Sequence, residues 1–153
     1  MSYSDEPSIR RASPGDIPAI VRLLADDHLG ADREDLSIPD SYQRALEAVD
    51  AQPGNGVYVM ELDGRVVGTM QLVVIPGLSH QGATRMEIEA VRVDSSLRSK
   101  GLGEKLIRWA IEHGRANGCS MVQLTSHKSR EGAHRFYARL GFANSHEGFK
   151  LQL

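Results

Sequence analysis

A single cysteine, Cys119, stands in 153 residues, so no internal disulfide can staple the chain. At the start of an apolar strand it reads as core filler rather than as a nucleophile. No apolar run approaches the roughly 20 residues that a membrane-spanning helix needs. Met1-Ser-Tyr-Ser-Asp-Glu-Pro7 also lacks the basic and apolar parts of a signal peptide, and the expected location is cytoplasmic. An excess of basic charge is missing too: 18 Lys and Arg against 20 Asp and Glu leave a net charge of −2, which argues against an extended nucleic-acid footprint. None of the six histidines shows metal-ligand spacing, so no metal site is expected. Repeats, low-complexity tracts and linkers are absent. With 41% hydrophobic residues the chain can bury one core but hardly two, and a single domain over residues 1–153 is expected.

What is present reads as alternating strands and helices. Ile9-Arg-Arg-Ala12 predicts a first strand, and Ser13-Pro-Gly-Asp16 has the spacing of a helix start. Ile17, Ile20, Val21 and Leu24 then share one helical face. A polar stretch from Asp26 to Asp40 leads to a second helix, with Tyr42, Ala45, Leu46 and Val49 inward, broken at Pro53-Gly-Asn-Gly56. Val57 to Leu62 and Arg65 to Ile75 flank Asp63-Gly64, a hairpin signal, and Pro76-Gly77 ends the meander. Further on, Leu106, Ile107, Ala110 and Ile111 form a helical stripe with Trp109 packed beside it, stopped by Asn117-Gly118. Met121 to Thr125 returns as a strand after a right-handed parallel crossover. After the helix that carries Tyr137, Phe142 and the alternating Phe149, Leu151 and Leu153 predict a last hairpin.

The chemistry concentrates between these halves. In Met86-Glu-Ile-Glu-Ala-Val-Arg-Val93 the apolar positions run Met86, Ile88, then slip phase to Val91, Val93, as a β-bulge produces; a strand buried on both faces is the alternative. Glu87 and Glu89 share a face of this strand. Arg98-Ser-Lys-Gly-Leu-Gly103 follows and opens a helix, whose first N–H groups have no intrahelical partner and whose dipole end is positive. Such a strand, glycine loop and helix hold phosphates. No Gly-Lys-Ser/Thr occurs, and Gly101-Leu-Gly103 is followed by Glu-Lys-Leu106 rather than by a third glycine, so neither a nucleoside-triphosphate loop nor a dinucleotide fold is indicated.

Arg98-x-x-Gly101-x-Gly103 after a Val-x-Val strand, with Ala133-His-Arg-Phe-Tyr-Ala-Arg-Leu-Gly-Phe142 downstream, resembles the GNAT superfamily of N-acetyltransferases from Ile9 to Leu153. Gln123-Leu-Thr125, Lys128-Ser-Arg130 and Ser145-His-Glu-Gly-Phe-Lys150 resemble small bacterial members, and the C-terminal half is similar to the aminoalkylphosphonate acetyltransferases. The resemblance implies an α/β (α+β) fold: a mixed, mostly antiparallel twisted sheet of about seven strands with about four helices, its central parallel strand pair splayed by the bulge. It implies acetyl-CoA as cosubstrate, held by Val91, Arg92 and Val93, by Arg98, Ser99, Lys100, Gly101, Leu102 and Gly103, and by Ser126, Arg130 and Tyr137. Arg130 stands where many members have an asparagine that bonds the pantetheine arm.

Acetyl transfer to a primary amine by direct attack on the thioester needs a base, an oxyanion donor and a proton for the thiolate. Glu89 is the candidate base, through a water, with Glu87 as its rival; a carboxylate that only pairs with Arg85 or Arg92 is the structural alternative. An N–H near Val91 faces the oxyanion in this reading. Tyr137 matches the family's general acid, and His134 lies one turn before it. The acceptor is expected to be a small molecule. The acidic run Asp26-Asp-His-Leu-Gly-Ala-Asp-Arg-Glu-Asp35, where the family has its acceptor wall, suggests a cationic amine, whereas the phosphonate resemblance points to an anionic one. A homodimer is expected, with no nucleic acid or membrane partner. A non-catalytic acetyl-CoA-binding regulatory or interaction protein is the alternative function.

Overall fold

The computed structural model describes residues 6–153; Met1 to Asp5, part of the stretch read as lacking a leader, lie outside the described residues. Two compact units divide the chain, one ending at Gln123 and the other running from Leu124 to Leu153.

The first unit is built on a mixed sheet of β1 (Ser8–Arg11), β2 (Asn55–Leu62), β3 (Arg65–Ile75), β4 (Arg85–Val93) and β5 (Met121–Leu124), in that spatial order, with the β1–β2, β2–β3 and β3–β4 pairs antiparallel. A 3-10 turn at Pro14–Asp16, closed by a capping box between Ser13 and Asp16, feeds α1 (Ile17–Ala25). The polar connection then leads to α2 (Ser41–Ala51). Asp63, at φ 52°, and Gly64, at φ 74°, make the β2–β3 turn with both central residues left-handed, as a two-residue hairpin requires. A short α3 (Ser79–Gly82) precedes β4, and α4 (Leu102–Ala116) links β4 to β5.

Each face of the sheet has its own cover. Tyr58 stacks against Trp109 and His113 of α4, and Gly68 and Met86 lie against Leu106 and Gly114 of the same helix. Met60, Met70, Leu72, Met86, Ile88, Leu106 and Ile107 are each at most 2% exposed and form the main core. On the other face Val57 packs on Ile17, Val21 and Leu46 of α1 and α2. Tyr42 and Val49 are half-buried as the periodicity predicts, but Ala45 is exposed, because the stripe of α2 is narrower than the sequence suggests.

In the second unit α5 (Glu131–Arg139) ends in a Schellman motif: the Phe142 N–H bonds the Tyr137 carbonyl at 3.1 Å and the Gly141 N–H bonds the Ala138 carbonyl at 3.1 Å. Gly141, at φ 98°, supplies the left-handed residue this needs.

Two expectations fail here. Among the described residues the sheet has five strands rather than about seven, and the helices number five rather than about four, α3 being the addition. The last hairpin does not form: residues 143–153 carry no strand, and Phe149, Leu151 and Leu153 are 94%, 85% and 116% exposed. Alternation marks a segment able to pair, but a strand's backbone bonds are made to a neighbour, and among the described residues none pairs with it.

Candidate active site

The bulge read from the phase slip is present in β4. Thr69 pairs with Arg92 and Gln71 with Glu89, so two steps on β3 oppose three on β4. Ala90, inside this step, is left-handed at φ 52°, an arrangement that costs an alanine about 1 kcal/mol or more. Glu89 and Ala90 are exposed, which rejects a strand buried on both faces. Before the bulge Arg85, Glu87 and Glu89 share the α1–α2 face; after it Arg92 joins that face, while Val91 and Val93 turn toward α4.

This face carries a polar strip. Val57, Gln71 and Glu89 lie abreast across β2, β3 and β4, with Asn55, Val73 and Glu87 in the next row. Gln71 donates to Asn55 Oδ1 at 2.9 Å, and Gln123 of β5 donates to Glu87 Oε2 at 2.6 Å. The two candidate bases thereby differ: Glu87 is held by an amide, and Glu89 stands exposed at the bulge. The sequence reading missed Asn55, Gln71 and Gln123. Their only local signal is a polar side chain at an alternating strand position.

The segment after β4 has the form expected of an anion cradle. A 3-10 turn at Ser95–Leu97 is capped by Asp94, whose side chain accepts from the Ser96 N–H at 2.9 Å. Ser99 at φ 67° and Gly101 at φ 75° then bend the chain into α4. Gly101 is the N-cap and offers no side-chain bond, so the first amides of α4 keep their donors for a ligand. Arg98, Ser99, Lys100 and Gly101 are exposed, whereas Leu102 is buried and anchors the first turn.

The acidic connection does other work than the sequence suggests. Asp27 pairs through Oδ2 with Arg92 Nε at 3.0 Å, both side chains mostly buried, and its Oδ1 accepts the Leu29 and Gly30 N–H groups at 2.9 and 2.5 Å. Asp26 accepts from the Ser95 hydroxyl at 2.7 Å. Both carboxylates thus pin the α1–α2 connection to the end of β4 and the turn after it, and the expectation of a cation-collecting wall loses its two leading residues. Arg92 also donates to the Val91 carbonyl at 2.8 Å. Of the two arginines weighed as partners for Glu87 or Glu89, Arg92 pairs with Asp27, and Arg85 makes no ion pair with a described residue.

In the second unit Ser126 Oγ is buried without a hydrogen-bond partner among the described residues, as a side chain reserved for a ligand would be. Arg130 is the N-cap of α5. Tyr137 sits in a ring cluster, with Phe136 at 5.2 Å and Phe142 at 5.7 Å between centroids. His134 Nε2 lies 2.9 Å from the His127 carbonyl, so it closes the turn before α5. Cys119 is partly buried, and burial pushes its thiol pKa up, away from a nucleophile's. Among the described residues no three His, Cys, Asp or Glu side chains gather to hold a metal, and no helix is long and apolar enough to cross a membrane.

The chain is 36% identical over 97 residues to glucosamine 6-phosphate N-acetyltransferase of Trypanosoma brucei brucei, covering 63% of this chain and 64% of that one. It is 34% identical over 91 residues to aminoalkylphosphonate N-acetyltransferase of Salmonella typhimurium, covering 60% and 58%. The matched stretches thus span less than two thirds of either relative. A solved structure described as a transcriptional regulator from Bacillus halodurans C-125 superposes with a TM-score of 0.93 at 41% identity, over 97% of this chain and 100% of that one. Residues 17–142 match the model of the acetyltransferase (GNAT) family, from the start of α1 to the phenylalanine that closes α5, and the chain belongs to that family.

Proposed function

We propose that this protein transfers the acetyl group of acetyl-CoA to the primary amine of a small acceptor by direct attack on the thioester, as one acyltransferase domain over residues 1–153 in the cytoplasm. The observation that carries the reading is the β4 bulge running into the uncapped, glycine-started α4. In this proposal the pyrophosphate rests on the amides of α4 with Arg98, Ser99 and Lys100 around it. The pantetheine arm is assigned to Val91, Arg92 and Val93, with Ser126 and Arg130 as further contacts. The Val91 N–H stabilises the oxyanion.

The chemistry assigned to the chain is proton handling. The amine nitrogen bonds to the acetyl carbon and the carbon–sulfur bond breaks. Glu89, through a water, takes the amine proton, and Tyr137 gives its phenolic proton to the departing thiolate. A phenol of pKa about 10 matches a thiolate of comparable basicity. Glu89 is preferred over Glu87 because it stands exposed beside the bulge, where the arm is proposed to lie. A second reading, an acetyl-CoA-binding regulatory protein, draws support from the description of the Bacillus halodurans structure.

Calorimetry with acetyl-CoA, followed by thiol release across a panel of amines, tests both. Binding with turnover supports the enzyme, binding with no turnover on any amine supports the regulator, and no binding rejects both. Tyr137→Phe and Glu89→Gln should each lower kcat about 10²-fold or more while acetyl-CoA affinity stays within twofold. Unchanged pH–rate profiles in both variants would return these residues to structural roles.

A further inference from the structure

The start of β4 and the start of β5 leave a cleft of about 240 Å³ that the proposed transfer does not use, lined by Ser79, His80, Ala83, Arg85, Ser120 and Met121. Arg85 is half-buried, and its Nε is shut off from solvent without a hydrogen-bond partner among the described residues. No described carboxylate forms an ion pair with it, although Glu87 and Glu89 stand on the same face of the strand. A guanidinium offers five donors in a fixed fork and cannot shed its charge. Burying part of it with no acceptor is unfavourable enough that native structures rarely do so without a ligand.

The rest of the lining suits the same ligand. The Ser79 hydroxyl and the His80 ring add polar groups, with His80 Nδ1 3.3 Å from Ser79 Oγ, while the Ser120 hydroxyl donates to the Thr84 carbonyl at 3.5 Å. The Ser120 N–H bonds the Thr84 carbonyl at 2.9 Å, which fixes the wall facing Arg85. Ala83 and Met121 provide low-dielectric sides. We infer that this cleft binds a small oxyanion, a carboxylate or a phosphate or phosphonate group, on the Arg85 guanidinium. Arg85 and Glu89 are four residues apart on one strand, about 13 Å between Cα atoms. The arginine side chain shortens that span, so the anion can be the far end of an acceptor whose amine lies at the bulge; it can equally be a separate ion. The first of these sources rests on the transferase reading above.

Titration of the whole chain with inorganic phosphate and with succinate, at low ionic strength and without acetyl-CoA, tests the site by itself. Saturable binding is expected, weakened about tenfold or more in Arg85→Met, with Arg85→Lys in between because it keeps the charge but loses the fork. The lysine variant also serves if the methionine variant folds poorly. Absence of saturable binding to wild type, or equal binding by wild type and both variants, overturns the proposal. So does a variant that leaves phosphate affinity alone and shifts the monomer–dimer balance, which would make Arg85 a subunit contact. A kinetic arm compares ethanolamine with O-phosphoethanolamine. A KM raised about tenfold by Arg85→Met for the phosphorylated amine alone assigns the anion to the acceptor, whereas loss of phosphate binding with both KM values unchanged assigns it to a separate ligand. If no amine is acetylated, the transferase reading fails while the titration still decides the site.

Discussion

Replacing Asp16 by asparagine removes one charge from a side chain that is 10% exposed and barely changes its volume. The carboxylate accepts two bonds from the Arg10 guanidinium, at 2.7 and 2.9 Å, and further bonds from the Ser13 N–H at 2.8 Å and hydroxyl at 3.1 Å. The Arg10 bonds dominate, burial opposes them and the Ser13 bonds add to them; together they bring the pKa from 3.8 to about 2. A carboxylate depressed this far stabilises the fold by about 2.5 kcal/mol at pH 7. The sign follows from the depressed folded value: the contribution is complete above the unfolded pKa and is lost as pH falls through the folded one. About half should remain at pH 3 and little at pH 2. Urea unfolding of wild type and Asp16→Asn at pH 7, 4.5 and 3 measures it. The gap should be about 2 kcal/mol at neutral pH, with a melting difference of about 4–8 °C, and should narrow by about 1 kcal/mol at pH 3. A gap as wide at pH 3 as at pH 7 would refute the electrostatic account and leave only a shape effect.

Three other perturbations are informative. His113 stacks on Trp109 at 5.2 Å, and burial, with Arg11 second, holds its pKa below 6.5. Its stabilisation is therefore intact above pH 6.5 and lost on acidification; His113→Phe should flatten the stability profile between pH 7.5 and 5.5, and an unchanged slope rejects the assignment. Gly101→Ala meets no atom within 4 Å but puts a Cβ at φ 75°, so it should cost about 1 kcal/mol of stability and weaken acetyl-CoA binding in calorimetry; unaltered affinity would sink the cradle reading. The unpaired apolar run through Phe149, Leu151 and Leu153 supports the proposed homodimer. Sedimentation at micromolar concentration should show a dimer that Leu151→Lys weakens, and a wild-type monomer would reject it.

Short-range order is where the sequence speaks for itself. The slip from Met86 and Ile88 to Val91 and Val93 located the bulge, because side chains alternate with a period of two and one extra residue inverts the faces. Asp63-Gly64 marked a hairpin and Asn117-Gly118 a helix end because each carries a residue whose backbone turns left-handed. The glycine loop before α4 was legible for the same reason. Charge and pairing were not, since they depend on residues brought together across the chain. Asp27 reads as solvated until Arg92, 65 positions away, closes on it, and Glu87 and Glu89 look alike until the fold half-buries the former against Gln123 and leaves the latter exposed. The alternation at Phe149, Leu151 and Leu153 announces a strand that the fold leaves unpaired, because a strand's hydrogen bonds belong to its neighbour. Arg85 gains its meaning the same way: its type is written in the sequence, but only the tertiary structure buries its Nε beside serines and a histidine and, among the described residues, pairs no carboxylate with it.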